Sequence, residues 1–311
     1  MSTLHASDLY NVDGLVAVIT GGGTGLGLIM ARALVDNGAA HVYVIGRRQA
    51  KLDEAAALHA NITGICGDIT SQAFLQEAAD QVRRERGHVH LVVANAGASG
   101  PGFLGLNPDA SVEEFVAHAW KTPMADITSV FELNFTAVYY TALAFMTLLD
   151  AGNRARFKAS VRSQVIVTAS TASFLRKIRV GLGYSGSKAA VVALTKSLSS
   201  MCAPYNIRFN AIAPGRESRF SPCGGDTSAN RWKVFMSDLA IPMMKVYNIP
   251  EGQDPTIEGA FPPALNPAQR LGSEKDMAGV FLYMASQAGA FLNGSVNLID
   301  GGAISQLPST Y

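Results

Sequence analysis

The chain has 311 residues, of which 48% are hydrophobic and 16% are charged, and its formal net charge is +1. This length and composition are sufficient for a sizeable buried core, and they exclude a chain that lacks a folded core. A net charge so close to zero gives no indication that the partner is nucleic acid or an anionic membrane surface.

Compact apolar runs alternate with segments of helical spacing along the chain. The runs predicted to contain strands are residues 15–20, 41–46, 62–70, 91–97, 163–170, 207–215 and 295–302. The predicted helices are residues 28–38, 47–60, 71–87, 126–149, 187–204 and 274–286. This alternation is typical of a parallel sheet that is covered on both faces. The sequence therefore predicts a doubly wound, Rossmann-type α/β/α fold in one domain, residues 1–311, with its ligand beyond the carboxyl ends of the strands.

Two long stretches lie outside this alternation, and both follow predicted strands. Residues 98–125 are rich in glycine and proline, and residues 216–268 contain seven of the 13 prolines. Long connections in compact domains are usually lids or binding loops. We interpret residues 216–268 as an extended substrate loop, with a surface insertion or an oligomer contact as the alternative. Its aromatic and methionine side chains suit a bulky apolar substrate, but equally suit subunit contacts or core packing.

The location of the protein is inferred from its amino terminus and its cysteines. The first 14 residues lack the apolar segment of a signal peptide, and no apolar run approaches the roughly 18 residues of a membrane helix. Cys66, Cys202 and Cys223 are far apart and lack metal-ligand spacing. We therefore expect a soluble cytoplasmic protein that binds no metal, no nucleic acid and no membrane.

The segment TGGGTGLG, residues 20–27, follows the first predicted strand and leads into a helix. Glycines suit a turn whose backbone must approach a pyrophosphate, and the amino terminus of a helix offers free N–H groups and a positive dipole end. The spacing T-G-x-x-x-G-x-G differs from the common G-x-G-x-x-G, and a tight turn that binds nothing could use the same residues. Its place after the first strand favours a dinucleotide site.

The second predicted strand ends in Gly46, Arg47 and Arg48. An acidic residue here would bind the ribose 2′-hydroxyl of NAD, and a carboxylate would repel a 2′-phosphate. Arginine instead binds phosphate through a planar fork of donors. The sequence therefore predicts NADP(H) as the cofactor, unless the two arginines are simply the solvated start of a helix.

Tyr184 and Lys188 occur in the sequence GYSGSKAAV, four residues apart and among small side chains. On a helix this spacing places both on one face, one turn apart. The ordinary pKa of tyrosine, about 10, is too high for efficient proton transfer at neutral pH, and a nearby ammonium group lowers it. The pair thus predicts a proton donor with room beside it for a cofactor and a substrate, although Y-x-x-x-K alone is common by chance.

At this point the chain resembles the short-chain dehydrogenase/reductase family, of the classical type, and in particular its fungal NADP-dependent members. The resemblance extends over roughly residues 12–303, and the motifs occur in the family's order. They are TGGGTGLG at 20–27, Asp68 with Ile69, ANAG at 94–97, Asn134, Ser170, Tyr184 with Lys188, PG at 214–215, and FLNGSVNLIDGG at 291–302. Each motif alone is weak, but the ordered set is specific.

The resemblance implies a catalytic role for four residues. Tyr184 would protonate the carbonyl oxygen during reduction, and Lys188 would lower the pKa of Tyr184 and bind the nicotinamide ribose. Ser170 would hydrogen-bond the substrate oxygen, and Asn134 would hold a water molecule of a proton relay. The residues implied in cofactor binding are Gly21, Thr24, Gly25, Leu26, Gly27, Arg47, Arg48, Asp68, Ile69, Asn95, Ala96, Gly97, Tyr184, Lys188, Pro214 and Gly215.

Three positions depart from the family's pattern. The usual spacing would assign the serine role to Thr171, but the alignment of the strand favours Ser170 with one extra residue in the following loop, and either hydroxyl could serve. The family's NNAG is ANAG here. Where the family often has a threonine after the PG pair, this chain has Arg219, and Ser218 or Ser221 are candidates to replace it.

The sequence therefore predicts an oxidoreductase that transfers a hydride between NADP(H) and a ketone or secondary alcohol, most consistent with a ketoreductase for a bulky apolar substrate. One alternative is an NAD-dependent alcohol dehydrogenase, and another is a protein of this fold with a non-redox or ligand-binding role. The resemblance also implies a homodimer or homotetramer that associates through the long helices, residues 126–149 and 186–202.

Overall fold

The computed structural model describes residues 4–102, 109–176, 181–215, 254–260, 262–264 and 266–311. The described strands form one parallel sheet of seven strands in the order β3-β2-β1-β4-β5-β6-β7. They are Val16–Thr20 (β1), His41–Gly46 (β2), Ile62–Cys66 (β3), Leu91–Ala94 (β4), Gln164–Thr168 (β5), Arg208–Pro214 (β6) and Val296–Ile299 (β7). This order reverses beside β1, and the predicted doubly wound fold is confirmed.

The central strands are apolar along their whole length because both faces of the sheet are covered. Val16 and Val18 of β1 pack into one hydrophobic core, whereas Ala17 and Ile19 pack into the other. Successive side chains of a strand point to opposite faces, so each buried strand contributes to both cores.

Nine α-helices lie within the described residues. They are Ala6–Tyr10 (α1), Gly25–Val35 (α2), Gln49–Ala56 (α3), Gln72–Arg86 (α4), Val112–Ala119 (α5), Met124–Phe131 (α6), Ala137–Ala155 (α7), Leu182–Met201 (α8) and Glu274–Ala285 (α9). Helices α4, α7 and α8 cover one face of the sheet, and α2, α3 and α9 cover the other. The result is the three-layer arrangement expected from the sequence.

The region predicted as a long connection, residues 98–125, is not irregular throughout. It contains α5, which begins with a capping box in which Ser111 and Glu114 satisfy each other's backbone N–H groups. The abundance of glycine and proline at the start of this region concealed the short helix. The following predicted helix begins at Met124, and a π-helical turn, Glu132–Thr136, joins α6 to α7.

The helical stretch Met124–Ala155 is 32 residues long and, by length and composition alone, apolar enough to cross a membrane. The sequence-based expectation counted uninterrupted apolar residues and did not identify it. Phe145 and Leu149 of this stretch are fully buried in the core against the sheet. Such burial is the arrangement of a core helix.

Most of the predicted substrate loop, residues 216–268, lies outside the described residues. Its role in binding substrate therefore stays a prediction, as does the assignment of residues 1–311 to a single domain.

Candidate active site

The glycine turn lies between the carboxyl end of β1 and the start of α2. Gly21 and Gly25 have φ angles of +67° and +59°, values that favour glycine. A β-carbon on Gly27 would lie 2.8 Å from the side-chain nitrogen of Asn95 and closer still to the carbonyl oxygen of Gly21. Only glycine therefore allows α2 to start so close to the strand end.

The amino terminus of α2 is suited to bind an anion. Thr24, at the N-cap position, is extended and its side chain accepts no capping hydrogen bond from the helix. The first N–H groups of a helix have no partner within the helix, and the helix dipole makes this end positive. The turn therefore fits the pyrophosphate of a dinucleotide.

Two arginines directly follow β2, and one of them reaches this turn. Arg48 Nη2 donates to Thr24 Oγ1 at 3.2 Å, which places its guanidinium against the glycine turn. Arg47 Nη1 lies 3.8 Å from Asp68 Oδ2 and is largely exposed. The backbone N–H of Thr70 lowers the pKa of Asp68 most, and the charge of Arg47 lowers it further, against the effect of desolvation. The carboxylate therefore stays charged and forms an exposed ion pair with Arg47.

Asn95, which is predicted to line the cofactor, forms hydrogen bonds that join the ends of neighbouring strands. Its Nδ2 donates to the backbone oxygen of Thr20 at 3.0 Å, and its Oδ1 accepts from Thr168 Oγ1 at 3.1 Å. The backbone N–H groups of Asn95 and Ala96 both donate to Thr20 Oγ1, at 3.0 and 3.1 Å. This side chain therefore fixes the ends of β1, β4 and β5 relative to one another.

Tyr184 and Lys188 lie in the first two turns of α8, as their spacing predicts. Lys188 Nζ is 5.9 Å from the centre of the half-buried Tyr184 ring, and it donates to the carbonyl oxygen of Thr168 at 2.6 Å. Lys188 is only 4% exposed, and this burial lowers its pKa to about 8. A cation held this close to a phenol favours the phenolate form.

Asn134 lies in the π-helical turn and is completely buried. Its Nδ2 donates to the carbonyl oxygen of Ala98 at 2.9 Å and to Ser187 Oγ at 3.0 Å, while its Oδ1 accepts from the N–H of Ala98 at 2.9 Å. Ser187 in turn donates to the carbonyl oxygen of Tyr184 at 2.8 Å. Asn134 therefore connects the loop after β4 to the helix that carries Tyr184.

Gly97 packs closely against Asn134 and Lys188. A β-carbon at this position would lie 2.9 Å from Asn134 Oδ1 and 3.4 Å from Lys188 Nζ. The absence of a side chain thus lets the loop after β4 approach the Lys188 ammonium group, which keeps N–H donors beyond the one bonded to Thr168. The residues present therefore fit the ribose of a nicotinamide nucleotide, which offers hydroxyl groups to such a donor.

Ser170 lies two residues beyond β5 and is 9% exposed. Its Oγ accepts the N–H of Ala172 at 3.2 Å and so caps a 3₁₀ turn, Thr171–Ser173. Because the oxygen accepts this bond, the hydroxyl proton is directed elsewhere and can be donated to a ligand. Thr171 is the first residue of the turn and is half-buried.

The remaining predicted cofactor residues also lie near the carboxyl ends of strands. Ile69 is buried next to Asp68, and Pro214 ends β6. The N–H of Gly215 donates to the carbonyl oxygen of Ile299 at 2.7 Å, which continues the pairing of β6 with β7. Leu26 is buried in the first turn of α2. Ser218, Arg219 and Ser221 lie outside the described residues.

Sequence reasoning missed three residues that support the site, namely Thr20, Thr168 and Ser187. Each of the two threonines ends an apolar strand with a hydroxyl group that bonds Asn95 or its backbone. Ser187 directly precedes Lys188 and bonds Asn134. The two threonines could have been found from the sequence, because each is a polar residue at the end of a buried apolar strand.

Comparisons with known proteins agree with this architecture. The sequence profile of a family described as short chain dehydrogenase matches residues 15–218. The curated protein "Short-chain dehydrogenase/reductase PhomF" of Diaporthe leptostromiformis is 37% identical and covers 99% of this chain and 98% of its own. "Versicolorin reductase stcU" of Emericella nidulans is 27% identical over 96% of this chain and 99% of its own. The solved "Pseudomonas aeruginosa RhlG/NADP active-site complex" is similar, with a TM-score of 0.72, 25% identity, and coverage of 95% and 98%.

Proposed function

The chain belongs to the short-chain dehydrogenase/reductase family of oxidoreductases, which use a nicotinamide cofactor, and on that premise we propose that it reduces a ketone to a secondary alcohol with NADPH. The observation that carries the proposal is the placement of the buried Lys188 ammonium one helical turn from the Tyr184 ring. Two such groups beside a nucleotide-binding turn are suited to deliver a proton to a carbonyl oxygen.

Each catalytic residue has a separate task in this proposal. Tyr184 donates its phenolic proton to the carbonyl oxygen of the substrate, and Lys188 stabilises the phenolate that remains. Ser170 donates a hydrogen bond to the same oxygen; its Oγ accepts the N–H of Ala172 through a lone pair, and its proton stays available for donation. Asn134 holds the loop after β4 against α8, so that the group of residues keeps its geometry. The bound cofactor supplies the hydride.

The choice of NADP(H) over NAD rests on Arg47 and Arg48. Arg48 lies against Thr24 of the glycine turn, and its neighbour Arg47 pairs with Asp68. An arginine fork after β2 suits a 2′-phosphate. The similar structure of RhlG is an NADP complex, which supports the same choice. The alternative is an NAD-dependent enzyme, in which the two arginines would only be solvated.

The reductive direction and the substrate class have separate support. Two fungal relatives are named versicolorin reductase, which supports the reductive direction. The aromatic and methionine residues within 216–268 suit a bulky apolar ketone.

The proposal is tested by following NADPH oxidation with a panel of bulky apolar ketones and small control ketones. We expect turnover with at least one bulky ketone. Tyr184→Phe, which removes only the phenolic oxygen, should lower kcat by about 100-fold or more, since general acid catalysis contributes about this factor. The variant should bind NADPH as the parent does. Turnover that is unchanged in Tyr184→Phe would refute the role of the phenol.

We further propose that the protein is a cytoplasmic homodimer or homotetramer. Tyr140 and Leu143 on α7 are 37% and 42% exposed, and the apolar face they form suits helix packing between subunits. Light scattering on the purified protein should give two or four times the chain mass of 32.8 kDa. A monomer at micromolar concentration would contradict this part of the proposal.

A further inference from the structure

Residues 307–311, here called the tail segment, fold back onto residues 174–176. Ser309 pairs with Leu175 in an antiparallel bridge. The N–H of Arg176 donates to the carbonyl oxygen of Pro308 at 2.9 Å, and the N–H of Thr310 donates to the carbonyl oxygen of Phe174 at 2.8 Å. Two backbone hydrogen bonds therefore join parts of the chain that are about 130 residues apart in sequence.

Side chains reinforce the pairing at Phe174. Thr310 Oγ1 donates to the carbonyl oxygen of Phe174 at 3.3 Å. The rings of Phe174 and Tyr311 meet edge to face, with centres 4.9 Å apart and planes at 69°. Aromatic pairs of this geometry contribute about 0.5–1.5 kcal/mol beyond the area they bury. The tail segment thus holds Phe174 through its backbone and through its ring.

The residue that the tail segment holds lies next to the turn that carries Ser170. The N–H of Phe174 donates to the carbonyl oxygen of Thr171 at 3.0 Å, and the N–H of Ser173 donates to the carbonyl oxygen of Ser170 at 3.0 Å. Ser170 Oγ caps the same turn through Ala172. A constraint at Phe174 is therefore transmitted through one short 3₁₀ turn to the Ser170 hydroxyl.

The chain before the tail segment, from Asp300 onwards, is fixed next to Gly215 at the end of β6. The Asp300 carboxylate accepts the N–H of Gly302 at 3.0 Å and the N–H of Ile304 at 2.7 Å. Asp300 packs so closely on Gly215 that a β-carbon there would lie 2.5 Å from Asp300 Cβ. Residues 300–311 therefore extend from the end of β6 to the turn that carries Ser170.

We propose that the tail segment is a positioning element of the substrate site, which fixes the Ser170 hydroxyl relative to Tyr184 and thereby sets the KM for the ketone. This inference rests on the proposed reductase function. A hydroxyl held in one orientation binds the carbonyl oxygen without first being ordered, so loss of this order weakens binding of the ketone. The contacts of the tail segment described above are with residues 174–176 and not with the glycine turn, so NADPH binding should not depend on them.

The geometry of the bridge offers a matched pair of variants. Thr310→Pro removes an N–H that donates to Phe174. Ser309→Pro removes an N–H that faces away from residues 174–176, because Ser309 and Leu175 form a non-hydrogen-bonded pair. We expect Thr310→Pro to raise the KM for the ketone at least fivefold, with the dissociation constant for NADPH within twofold of the parent value. Ser309→Pro should leave both within twofold.

Two further variants separate positioning from a general loss of stability. Thr310→Val keeps the backbone N–H and removes only the longer side-chain bond to Phe174, so it should raise KM less than twofold. Tyr311→Ala leaves the backbone intact and removes the ring against Phe174, so it should raise KM about two- to threefold. A tail segment that only stabilised the fold would lower Tm in Thr310→Pro without changing KM. The same KM in Thr310→Pro and Ser309→Pro would overturn the proposal.

Hydrogen exchange provides a measurement that is independent of turnover. Amides of residues 172–176 should exchange at least tenfold faster in Thr310→Pro than in Ser309→Pro, because the turn loses its support. If the parent protein reduced no ketone, the proposed function would fail while the exchange rates still reported on the tail segment. Equal exchange in the two variants would overturn the positioning role even if the protein were an active reductase.

Discussion

Lys188 Nζ donates a hydrogen bond of 2.6 Å to the carbonyl oxygen of Thr168, the last residue of β5. This bond directs the ammonium group from α8 towards the ends of the strands. Burial lowers the pKa of Lys188 to about 8 and makes its charge costly to the fold. The proposed acid, Tyr184, requires this charge. The buried ammonium group therefore lowers the stability of the fold but favours proton transfer.

The first prediction concerns this cost of stability. The pKa of Lys188 falls from 10.5 in the unfolded chain to about 8 in the folded chain. Below pH 8 Lys188 is protonated in both the folded and the unfolded chain, so the loss of folding stability is fully present. At 1.36 kcal/mol per pKa unit, this loss is about 3 kcal/mol. The cost disappears as the pH rises from 8 to 10.5. Lys188→Met should thus unfold, without cofactor, at higher urea concentration than the parent at pH 7.

The comparison of Lys188→Met with the parent at several pH values tests this prediction. Lys188→Met also loses the hydrogen bond to Thr168, which lowers the unfolding free energy by about 1 kcal/mol. The variant should therefore be about 2 kcal/mol more stable than the parent at pH 7. The advantage should shrink by about 3 kcal/mol between pH 8 and pH 10.5. A difference in unfolding free energy that does not change over this range would contradict the lowered pKa.

The second prediction decides between the two candidate hydroxyls. Ser170 has its oxygen occupied by the N–H of Ala172, which leaves its proton to donate to substrate. We expect Ser170→Ala to lower kcat/KM for the ketone by about 100-fold, as expected for the loss of a donor to a developing oxyanion. Thr171→Val, which removes the neighbouring hydroxyl but keeps the shape, should change kcat/KM less than threefold. A larger loss of kcat/KM in Thr171→Val than in Ser170→Ala would show that Thr171 is the residue that donates to the substrate oxygen.

The third prediction concerns the close approach of α2 to β1. Gly27→Ala would force a β-carbon against the backbone of Gly21, and it should lower the unfolding free energy by more than 2 kcal/mol and weaken NADPH binding at least tenfold. Gly279→Ala is the control, because this exposed glycine of α9 has no atom within 4 Å of the added carbon. It should raise the unfolding free energy by about 0.5–1 kcal/mol. Equal effects of the two changes would show that the turn is not tightly packed.

The strands were predictable because their signal is local. A strand buried on both faces must be apolar throughout, and β1 and β5 are compact apolar runs bounded by polar or small residues. The glycine turn and the pair of Tyr184 and Lys188 were predictable for a similar reason. Their chemistry depends on spacing along one turn or one helix, which the sequence displays directly.

Contacts between distant parts of the chain were not predictable in this way. The sequence predicts that Asn95 lines the cofactor, which stays a prediction. Its hydrogen bonds to Thr20 and Thr168 were not predicted, because they depend on how three strand ends meet. The π-helical turn at Asn134 leaves no periodic signal in the sequence. The pairing of Leu175 with Ser309 joins two short segments, neither of which is long enough to predict a strand by itself.

The central claim, NADPH-dependent reduction, is tested most directly by titrating the purified protein with NADPH and with NADH while following nicotinamide fluorescence. We predict binding at least tenfold tighter for NADPH. This preference should disappear in a variant with both Arg47→Asp and Arg48→Asp, because carboxylates repel a 2′-phosphate. Equal affinities for the two cofactors in the parent protein would contradict the assignment of the arginines, and binding of neither would contradict the redox function itself.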